Sequence, residues 1–239
     1  MFTAISNNTL PNAPDVPAKN IGAKNNFYNK SNEHSFVFDK IVLNFYYQNV
    51  RGLRTKCSEL YISSLACNYD IIAFSETWLH SSIYDSELFH SDFVVYRCDR
   101  TAQTSTFSRG GGVLISVRAI YSSEQIFVPS AEALEIVFVK VRMKVDIYLC
   151  CLYIPPSSDG FVYQQFSNAF NCFLSAIDYK LDDFVLICGD FNCTSVEWFK
   201  DSDNERILFP LNCNSVAIHD MLTSLFSYNL DQLNYSIMC

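Results

Sequence analysis

The sequence predicts an α/β or α+β fold with a large core of mixed β-sheet. Three observations carry this prediction. A strand, a helix and a second strand follow one another between residues 41 and 76, the middle of the chain is rich in β-branched and aromatic runs, and helical periodicity recurs later. The 239 residues, 49% of them hydrophobic, suffice for one large domain or two small ones with a packed core.

The domain is predicted to begin after a polar tail. Residues 1–35 are rich in Asn, Pro, Ser and Lys, have no hydrophobic period and offer little to bury, so we expect them to be disordered. The folded domain is expected to span residues 36–239. Residues 41–49 (IVLNFYYQN) are its first strand candidate.

The first two strands are predicted to be a parallel pair. Residues 53–68 carry apolar or small side chains at helical spacing, Leu65 among them, and predict a helix with one buried face. Residues 69–76 (YDIIAFSE) form a short apolar run that is typical of a strand buried on both faces. The order of strand, helix and strand therefore predicts a β-α-β unit.

The remaining elements are predicted in the same way. Strands are expected at 92–97, 111–118, 134–142, 145–156 and 183–190, and helices at 161–180 and 215–229. Residues 141–146 read as a hairpin connection between the third and fourth of these strands.

Composition restricts the classes of function. The formal net charge of −8 argues against a bulk electrostatic grip on nucleic acid, but not against an enzyme whose few basic residues line one groove. The ten cysteines are scattered, without a Cys-x-x-Cys pair, so structural zinc is not expected and free thiols in a reducing compartment are. No signal peptide or membrane-spanning run is recognised, so an intracellular location, nuclear or cytoplasmic, is expected.

Polar side chains follow several of the apolar strands. Asn49 ends the first strand, Glu76 follows the second, and Asp190 and Asn192 end the run VLICGDFN. Residues two apart in an extended chain face the same side, and sites in open sheets collect at the carboxyl ends of strands. Each residue alone is more often a cap or turn residue. Together with Tyr153, at the end of another strand, they predict a site.

Five motifs carry a family resemblance. QNVRGL, FSETWL, RGGGVLI, LYIPPS and CGDFN, in this order, resemble the endonuclease/exonuclease/phosphatase superfamily, and within it the apurinic-type endonuclease domain of non-LTR retrotransposons. The combination of SETWL, RGGGV, YIPP and GDFN is specific to that branch. The resemblance covers about residues 40–234. It implies a four-layered sandwich of two mixed β-sheets flanked by helices, and divalent-metal-dependent cleavage of phosphodiester bonds in DNA.

The resemblance also implies a role for each candidate site residue. Glu76 is expected to be the main ligand of Mg²⁺ or Mn²⁺, since a hard cation prefers carboxylate oxygen. Asn49 is assigned to the metal site with Glu76 and to the catalytic set, and is expected beside the metal, where it hydrogen-bonds the metal ligands. Asp190 is expected to orient or deprotonate the attacking water, and Asn192 to hold that acid or the phosphate in register. Tyr153 is expected to donate to a phosphate oxygen.

Two arginines are candidate phosphate-binding residues. Arg51 stands where many relatives outside this branch have an acid beside the metal, and we expect it to face a phosphate. Arg109 precedes a glycine run that is predicted to lead into a strand, and we expect it to contact DNA. The run is not a P-loop, because no Lys-Ser/Thr pair follows it.

The resemblance ends before the family's last catalytic element. That element, a Ser-Asp-His sequence, has no counterpart before Cys239, so we expect a C-terminally truncated domain that lacks its last strand or strands and is weak or inactive. His219 and Asp220, in the reverse order on the predicted last helix, are not expected to replace it.

Three functions remain open at this point. The first is a monomeric endonuclease that nicks target DNA for the reverse transcriptase portion of a parent retroelement, with no membrane partner. The second is a phosphoesterase of the same superfamily acting on a small or lipid phosphoester, against which SETWL and YIPP speak. The third is a non-catalytic retroelement remnant.

Overall fold

The computed structural model describes residues 4–6, 33–38, 41–107, 109–179, 183–193, 196–200, 208–228 and 230–232. The strands in these ranges are β1 (Ala4–Ser6), β2 (Glu33–Phe38), β3 (Ile41–Asn49), β4 (Ile71–Ser75), β5 (Phe93–Cys98), β6 (Val113–Arg118), β7 (Ser122–Gln125), β8 (Glu135–Arg142), β9 (Ile147–Tyr153), β10 (Phe184–Asp190), β11 (Val196–Lys200), β12 (Leu208–Cys213) and β13 (Leu230–Gln232). The α-helices are α1 (Cys57–Ala66), α2 (Gly160–Ala176) and α3 (Val216–Ser227).

Two mixed sheets form the centre of the molecule. Sheet I has six strands in the order β13-β1-β10-β9-β8-β7, and sheet II has five in the order β2-β3-β4-β6-β5. The pairs β3–β4 and β9–β10 are parallel, and the other pairs within the two sheets are antiparallel. A separate two-stranded ribbon joins β11 to β12.

Alternation of side chains along the strands produces four layers. In β3, Phe45 belongs to the cluster packed between the two sheets, whereas its neighbour Tyr46 packs with Leu60 of α1. In β10, Leu186 points between the sheets and Ile187 packs in the cluster that contains the aromatic side chains of α2. Because successive strand residues face opposite sides, each sheet buries both of its faces. The predicted sandwich of two mixed sheets flanked by helices is confirmed.

Most of the predicted elements are present, and β3 has the predicted bounds 41–49. The β-α-β unit is confirmed by the parallel pairing of β3 with β4, and the hairpin by the antiparallel pairing of β8 with β9. The sequence did not predict β7, β11, β12 or β13, nor β1 and β2, which begin in the segment expected to be disordered. The short run of β7, SSEQ, is polar and largely exposed, so it carries no hydrophobic signal.

The segment 1–35 differs in part from the predicted disordered tail. Ala4–Ser6 form β1, which pairs with both β10 and β13, and Glu33–Ser35 begin β2. The unpaired edge of a strand accepts any extended segment through backbone hydrogen bonds, which need no side-chain pattern. The rest of the segment lies outside the described residues.

Helices α2 and α3 begin at polar caps, and all three helices cover the sheets. The side chain of Asp159 accepts hydrogen bonds from the backbone N–H groups at the start of α2, and Ser215 does the same for α3. In α1 the prediction for Leu65 was wrong: its side chain is 54% exposed, and the buried face is carried by Leu60, Ser63 and Ser64. In the described parts of the chain, no helix combines the length and the apolar character needed to cross a membrane.

Candidate active site

One amide side chain joins the two sheets at their polar end. Asn49, the last residue of β3, donates from Nδ2 to Oδ2 of Asp190 at 2.8 Å and to Oε1 of Glu76 at 3.3 Å. Glu76 directly follows β4, and Asp190 ends β10. The carboxyl ends of strands from both sheets therefore bring two carboxylates and an amide into one cluster.

The backbone at this cluster is held in an uncommon conformation. Glu76, Arg51 and Asn192 have φ angles of 53°, 46° and 48°, in the left-handed region that non-glycine residues seldom occupy. Each such residue costs about 1–2 kcal/mol, so the surrounding contacts must enforce it. Strain of this kind collects at functional sites, which agrees with the positions that the sequence singled out.

Glu76 is held from one side by the segment that follows β3. The N–H of Gly52 donates to the carbonyl oxygen of Glu76 at 2.8 Å, and the N–H of Leu53 donates to that of Thr77, also at 2.8 Å. Gly52 has a φ of 98° and packs on the ring of Trp78, leaving no space for a Cβ atom. These contacts fix the two peptides that follow Glu76, although no regular strand continues there.

Asp190 is fixed by close packing against β9. Gly189 has a φ of 152°, and a Cβ atom there would lie 2.2 Å from the carbonyl oxygen of Leu152. The carbonyl oxygen of Asp190 accepts from the N–H of Ile154 at 2.9 Å, and its Oδ1 accepts from the N–H of Asn192 at 3.2 Å. The glycine of the Gly-Asp sequence thus allows two parallel strands to approach closely, and the sequence does not form a surface turn.

The side chain of Asn192 points to the neighbouring loop instead of the carboxylates. Its Nδ2 donates to the carbonyl oxygen of Ile154 at 2.7 Å. Tyr163 of α2, which the sequence reading did not single out, donates to the carbonyl oxygens of Phe191 and Asn192 at 3.0 and 3.3 Å. Asn192 therefore holds Asp190 through its backbone N–H, and its side chain braces the loop after β9.

Tyr153 reaches the cluster from the end of β9. The residue is buried, with 7% of its surface exposed. Burial raises the pKa of Tyr153 above its ordinary value, and the nearby charge of Glu76 acts in the same direction. The hydroxyl therefore keeps its proton and can donate it in a hydrogen bond.

Both candidate phosphate-binding arginines line one groove beside the cluster. Arg51 and Arg109 are exposed, and the groove between them also contains the side chains of Arg54, Lys56 and Trp78. A local concentration of cations in a chain of formal charge −8 creates a positive surface next to two carboxylates. The sequence reading missed Arg54 and Lys56, although both lie within five residues of Arg51.

Two further charged residues that the sequence reading missed lie near Tyr153. Arg100 and Glu135 form a buried ion pair, with Nε and Oε1 separated by 2.5 Å. The signal available in the sequence was a charged residue at the start of the apolar run EIVFV. The predicted Gly-rich entry to a strand is confirmed, since Gly110 and the two following glycines lead directly into β6.

The cluster fits a single hard cation better than a metal centre built by many side chains. Among the described residues, no group of three or more His, Cys, Asp and Glu side chains is placed to hold a metal. The two carboxylates of Glu76 and Asp190 are the oxygen donors that Mg²⁺ prefers, and Mg²⁺ keeps several waters when protein ligands are few. The amide nitrogen of Asn49 faces both carboxylates, so Asn49 fits a hydrogen-bonding role better than that of a ligand.

The last helix presents its own acid and histidine to solvent. His219 Nδ1 and Asp220 Oδ1 lie 3.6 Å apart on α3, and their side chains are 60% and 70% exposed. Helix α3 packs on the outer side of sheet I, in the cluster that contains Met221. This placement agrees with the expectation that the two residues do not complete the site.

The fold and the cluster define the class of this protein: it is a four-layered α/β hydrolase with a polar site where the two central sheets meet. The chain belongs to the endonuclease/exonuclease/phosphatase family, whose model matches residues 43–229. The predicted superfamily is thereby confirmed. A comparison with curated proteins finds no match.

Solved structures share the fold at low sequence identity. The endonuclease domain of TRAS1, a telomere-specific non-LTR retrotransposon, is 14% identical with a TM-score of 0.52, over 80% of this chain and 72% of that chain. The AP endonuclease LMAP from Leishmania major is 13% identical with a TM-score of 0.51, over 82% and 68%. An AP endonuclease from Archaeoglobus fulgidus is 18% identical with a TM-score of 0.50, over 77% and 70%.

Proposed function

We propose that the chain is a divalent-metal-dependent DNA endonuclease that hydrolyses a phosphodiester bond and leaves a nick. The convergence of Glu76, Asp190 and Asn49 from three strand ends is the observation that carries the proposal. Two carboxylates beside a donor-rich surface are what hydrolysis of a phosphodiester requires, because charge must be stabilised on the phosphate while a water is activated.

Each residue of the cluster has a distinct task in this proposal. Glu76 holds the cation, which supplies charge neutralisation on the phosphate. Asp190 accepts the proton of the attacking water, and the N–H of Asn192 and the amide of Asn49 orient its two carboxylate oxygens. Tyr153, held in its protonated form, donates to a non-bridging phosphate oxygen as negative charge develops.

The groove favours a polymeric substrate over a small phosphoester. Arg51, Arg54 and Arg109 line this groove, which thus contains more guanidinium groups than a single phosphate group needs. A nucleic-acid backbone offers one negative charge at every phosphate, so successive phosphates can contact successive arginines. DNA is therefore the proposed substrate, and the similarity in fold to the two AP endonucleases and the retrotransposon endonuclease domain agrees with this choice.

The proposed source of the activity is a non-LTR retroelement. The motifs SETWL, RGGGV, YIPP and GDFN carry this part of the proposal, because their combination is specific to that branch. The nick would expose a 3′ end, which the reverse transcriptase portion of the parent element could extend.

The test is nicking of supercoiled plasmid by the full chain, in Mg²⁺ or in EDTA. Glu76→Gln is the loss-of-function variant, and Glu132→Gln, at an exposed acid elsewhere, is the matched control. We expect nicking that requires Mg²⁺, is lost in Glu76→Gln and persists in Glu132→Gln. Equal nicking in Glu76→Gln, or hydrolysis of p-nitrophenyl phosphate by a folded protein that leaves DNA intact, would contradict the proposal.

A further inference from the structure

A buried ion pair lies beside the cluster without belonging to it. Arg100, which follows β5, donates from Nε to Oε1 of Glu135 at 2.5 Å, and the two side chains are 8% and 1% exposed. Glu135 begins β8 and lies opposite Tyr153 of β9 in the strand register. The pair therefore borders the site on the side of sheet I.

The glycine turn before β6 is wrapped around this pair. Glu135 Oε2 accepts from the N–H of Gly112 at 2.5 Å, and Arg100 Nη1 donates to the carbonyl oxygen of Arg109 at 2.6 Å. Gly111 has a φ of 63°, and a Cβ atom there would lie 2.1 Å from Glu135 Oε2. A residue with a side chain could not replace Gly111, because the ion pair fills the space that the Cβ atom would occupy.

The same turn supports the peptides that follow Glu76. The N–H of Thr77 donates to the carbonyl oxygen of Gly112 at 3.2 Å, and the N–H of Trp78 donates to that of Gly111 at 2.9 Å. Since Glu76 has a positive φ, it stays in place only while its neighbours are held. A continuous set of hydrogen bonds therefore runs from Glu135 through the turn to the residue after Glu76.

The pair also contacts the ring of Tyr153. The guanidinium carbon of Arg100 lies 5.7 Å from the centroid of the Tyr153 ring, within the range of a cation–π interaction. The same ion pair thus supports Tyr153 through ring contact and the peptides after Glu76 through the glycine turn.

The pair is poorly explained as a source of stability. Burial raises the pKa of Glu135, and Arg100 and the N–H of Gly112 oppose that effect. Among the described residues, Nη2 of Arg100 is buried without a hydrogen-bond partner. The free-energy cost of removing two charges from water offsets most of their attraction. Buried ion pairs can therefore often be replaced by apolar residues without loss of stability. Their best-attested role is to specify one geometry.

We propose that the Arg100–Glu135 ion pair is a positioning device of the candidate active site, which holds the glycine turn and through it Glu76, and which packs on the ring of Tyr153. The inference deepens the proposed function and rests on it for the role of Glu76. Neither residue of the pair touches substrate, but Arg100 also holds the carbonyl group of Arg109. Loss of the pair is therefore expected to reduce cation binding and the catalytic rate by a larger factor than the affinity for DNA.

Hydrogen exchange tests the positioning directly, on the full chain without metal or DNA. The variants are Arg100→Lys, which keeps the charge but not the planar guanidinium, and Glu135→Gln, which keeps the shape. Arg97→Lys is the matched control, because Arg97 is also a half-buried arginine of this region and pairs with Asp99 at 2.9 Å. We expect the amides of residues 77 and 78 to exchange about tenfold faster in both variants, relative to the amides of β10, and not in the control.

Cation binding and kinetics provide the second readout. Tb³⁺, a hard ion that oxygen ligands bind, is titrated by its luminescence, with Glu76→Gln as the reference that lacks the main ligand. Both pair variants should raise the half-saturating Tb³⁺ concentration about tenfold and lower kcat for nicking about 10–100-fold, a larger factor than any rise in KM for DNA. A rise in KM at constant kcat would instead indicate a role in DNA binding and would overturn the inference.

The outcomes separate this inference from the proposed function. If residues 77 and 78 exchange no faster in either variant than in Arg97→Lys, the pair is not a positioning device, whatever happens to nicking. If the unmodified protein binds Tb³⁺ no better than Glu76→Gln and does not nick DNA, the proposed function fails, while the exchange measurement still decides the role of the pair. Should Arg100→Lys not fold, the nearly isosteric Glu135→Gln carries the decision.

Discussion

The side-chain amide of Asn49 lies 2.8 Å from the carboxylate of Asp190, although 141 residues separate them in the sequence. The same amide reaches Glu76, so it separates two carboxylates that would otherwise repel each other. This one side chain also joins sheet II to sheet I at the end where both present polar residues.

Replacement of Asn49 by alanine is expected to destabilise the protein in the absence of a divalent cation. The two carboxylates then face each other without a donor, and added Mg²⁺ should recover part of the lost thermal midpoint by binding between them. Nicking should fall about 100-fold or more, as when a single preorganised donor is removed. Thermal unfolding with and without Mg²⁺ checks this, with Asn44→Ala, five residues earlier in β3, as control.

Replacement of Asp190 by asparagine should separate chemistry from cation binding. The variant keeps the shape of the side chain but cannot accept a proton, so nicking is expected to fall about 100- to 10,000-fold. Binding of Tb³⁺ should remain, because Glu76 is the proposed main ligand. Asp183→Asn, at the beginning of the same strand region, is expected to nick normally. Full activity in Asp190→Asn would remove Asp190 from the mechanism.

The arginines of the groove should each contribute to the salt dependence of DNA binding. In EDTA, Arg51→Ala and Arg109→Ala are each expected to reduce the slope of log K against log salt by about one, the value for one lost phosphate contact. Arg142→Ala is the control, because Arg142 ends β8 at the opposite end from Glu135 and is paired with Glu124 at 2.5 Å. Equal slopes in all variants would contradict the assignment of the groove.

The glycine turn should be intolerant of a side chain. Gly111→Ala is expected to lower the free energy of unfolding by about 2 kcal/mol or more, because a Cβ atom would overlap Glu135 and the φ of 63° is unfavourable for alanine. Gly160→Ala, at the start of α2, is the milder change, because Gly160 has no positive φ and its Cβ atom would meet only the Cβ atom of Ala217, at 3.0 Å; stability should change by no more than about 1 kcal/mol. Urea unfolding monitored by circular dichroism measures both.

Cysteine reactivity should follow burial. Burial, followed by the neighbouring Cys213, raises the pKa of the Cys193 thiol to about 12, whereas Cys172 is exposed. Iodoacetamide at mildly alkaline pH is therefore expected to label Cys172 in the native protein and Cys193 only after unfolding, as read by mass spectrometry.

The raised pKa of Cys193 also makes stability depend on pH, because the folded state holds the thiol proton more tightly than the unfolded chain does. The contribution of the protonated Cys193 thiol to the free energy of unfolding is present at neutral pH and is lost as the pH rises toward 12.

The sequence by itself determined the elements whose hydrophobic period is strong. The strand Ile41–Asn49, the buried strand ending at Asp190 and the two later helices follow from local patterns, and the motifs from QNVRGL to CGDFN identified the superfamily. Local signals of this kind suffice because the period of a strand or helix is set by which of its own side chains are buried.

Only the tertiary structure decided which strand ends meet. Asn49 and Asp190 lie in different sheets, and Arg100 meets Glu135 from another strand pair, so neither contact leaves a signal at short range. The same holds for Ala4–Ser6, which joins sheet I through backbone hydrogen bonds that any extended segment can make. Which distant strands lie side by side depends on how the sheets and helices pack together. The spacing of residues along the chain carries no information about this packing.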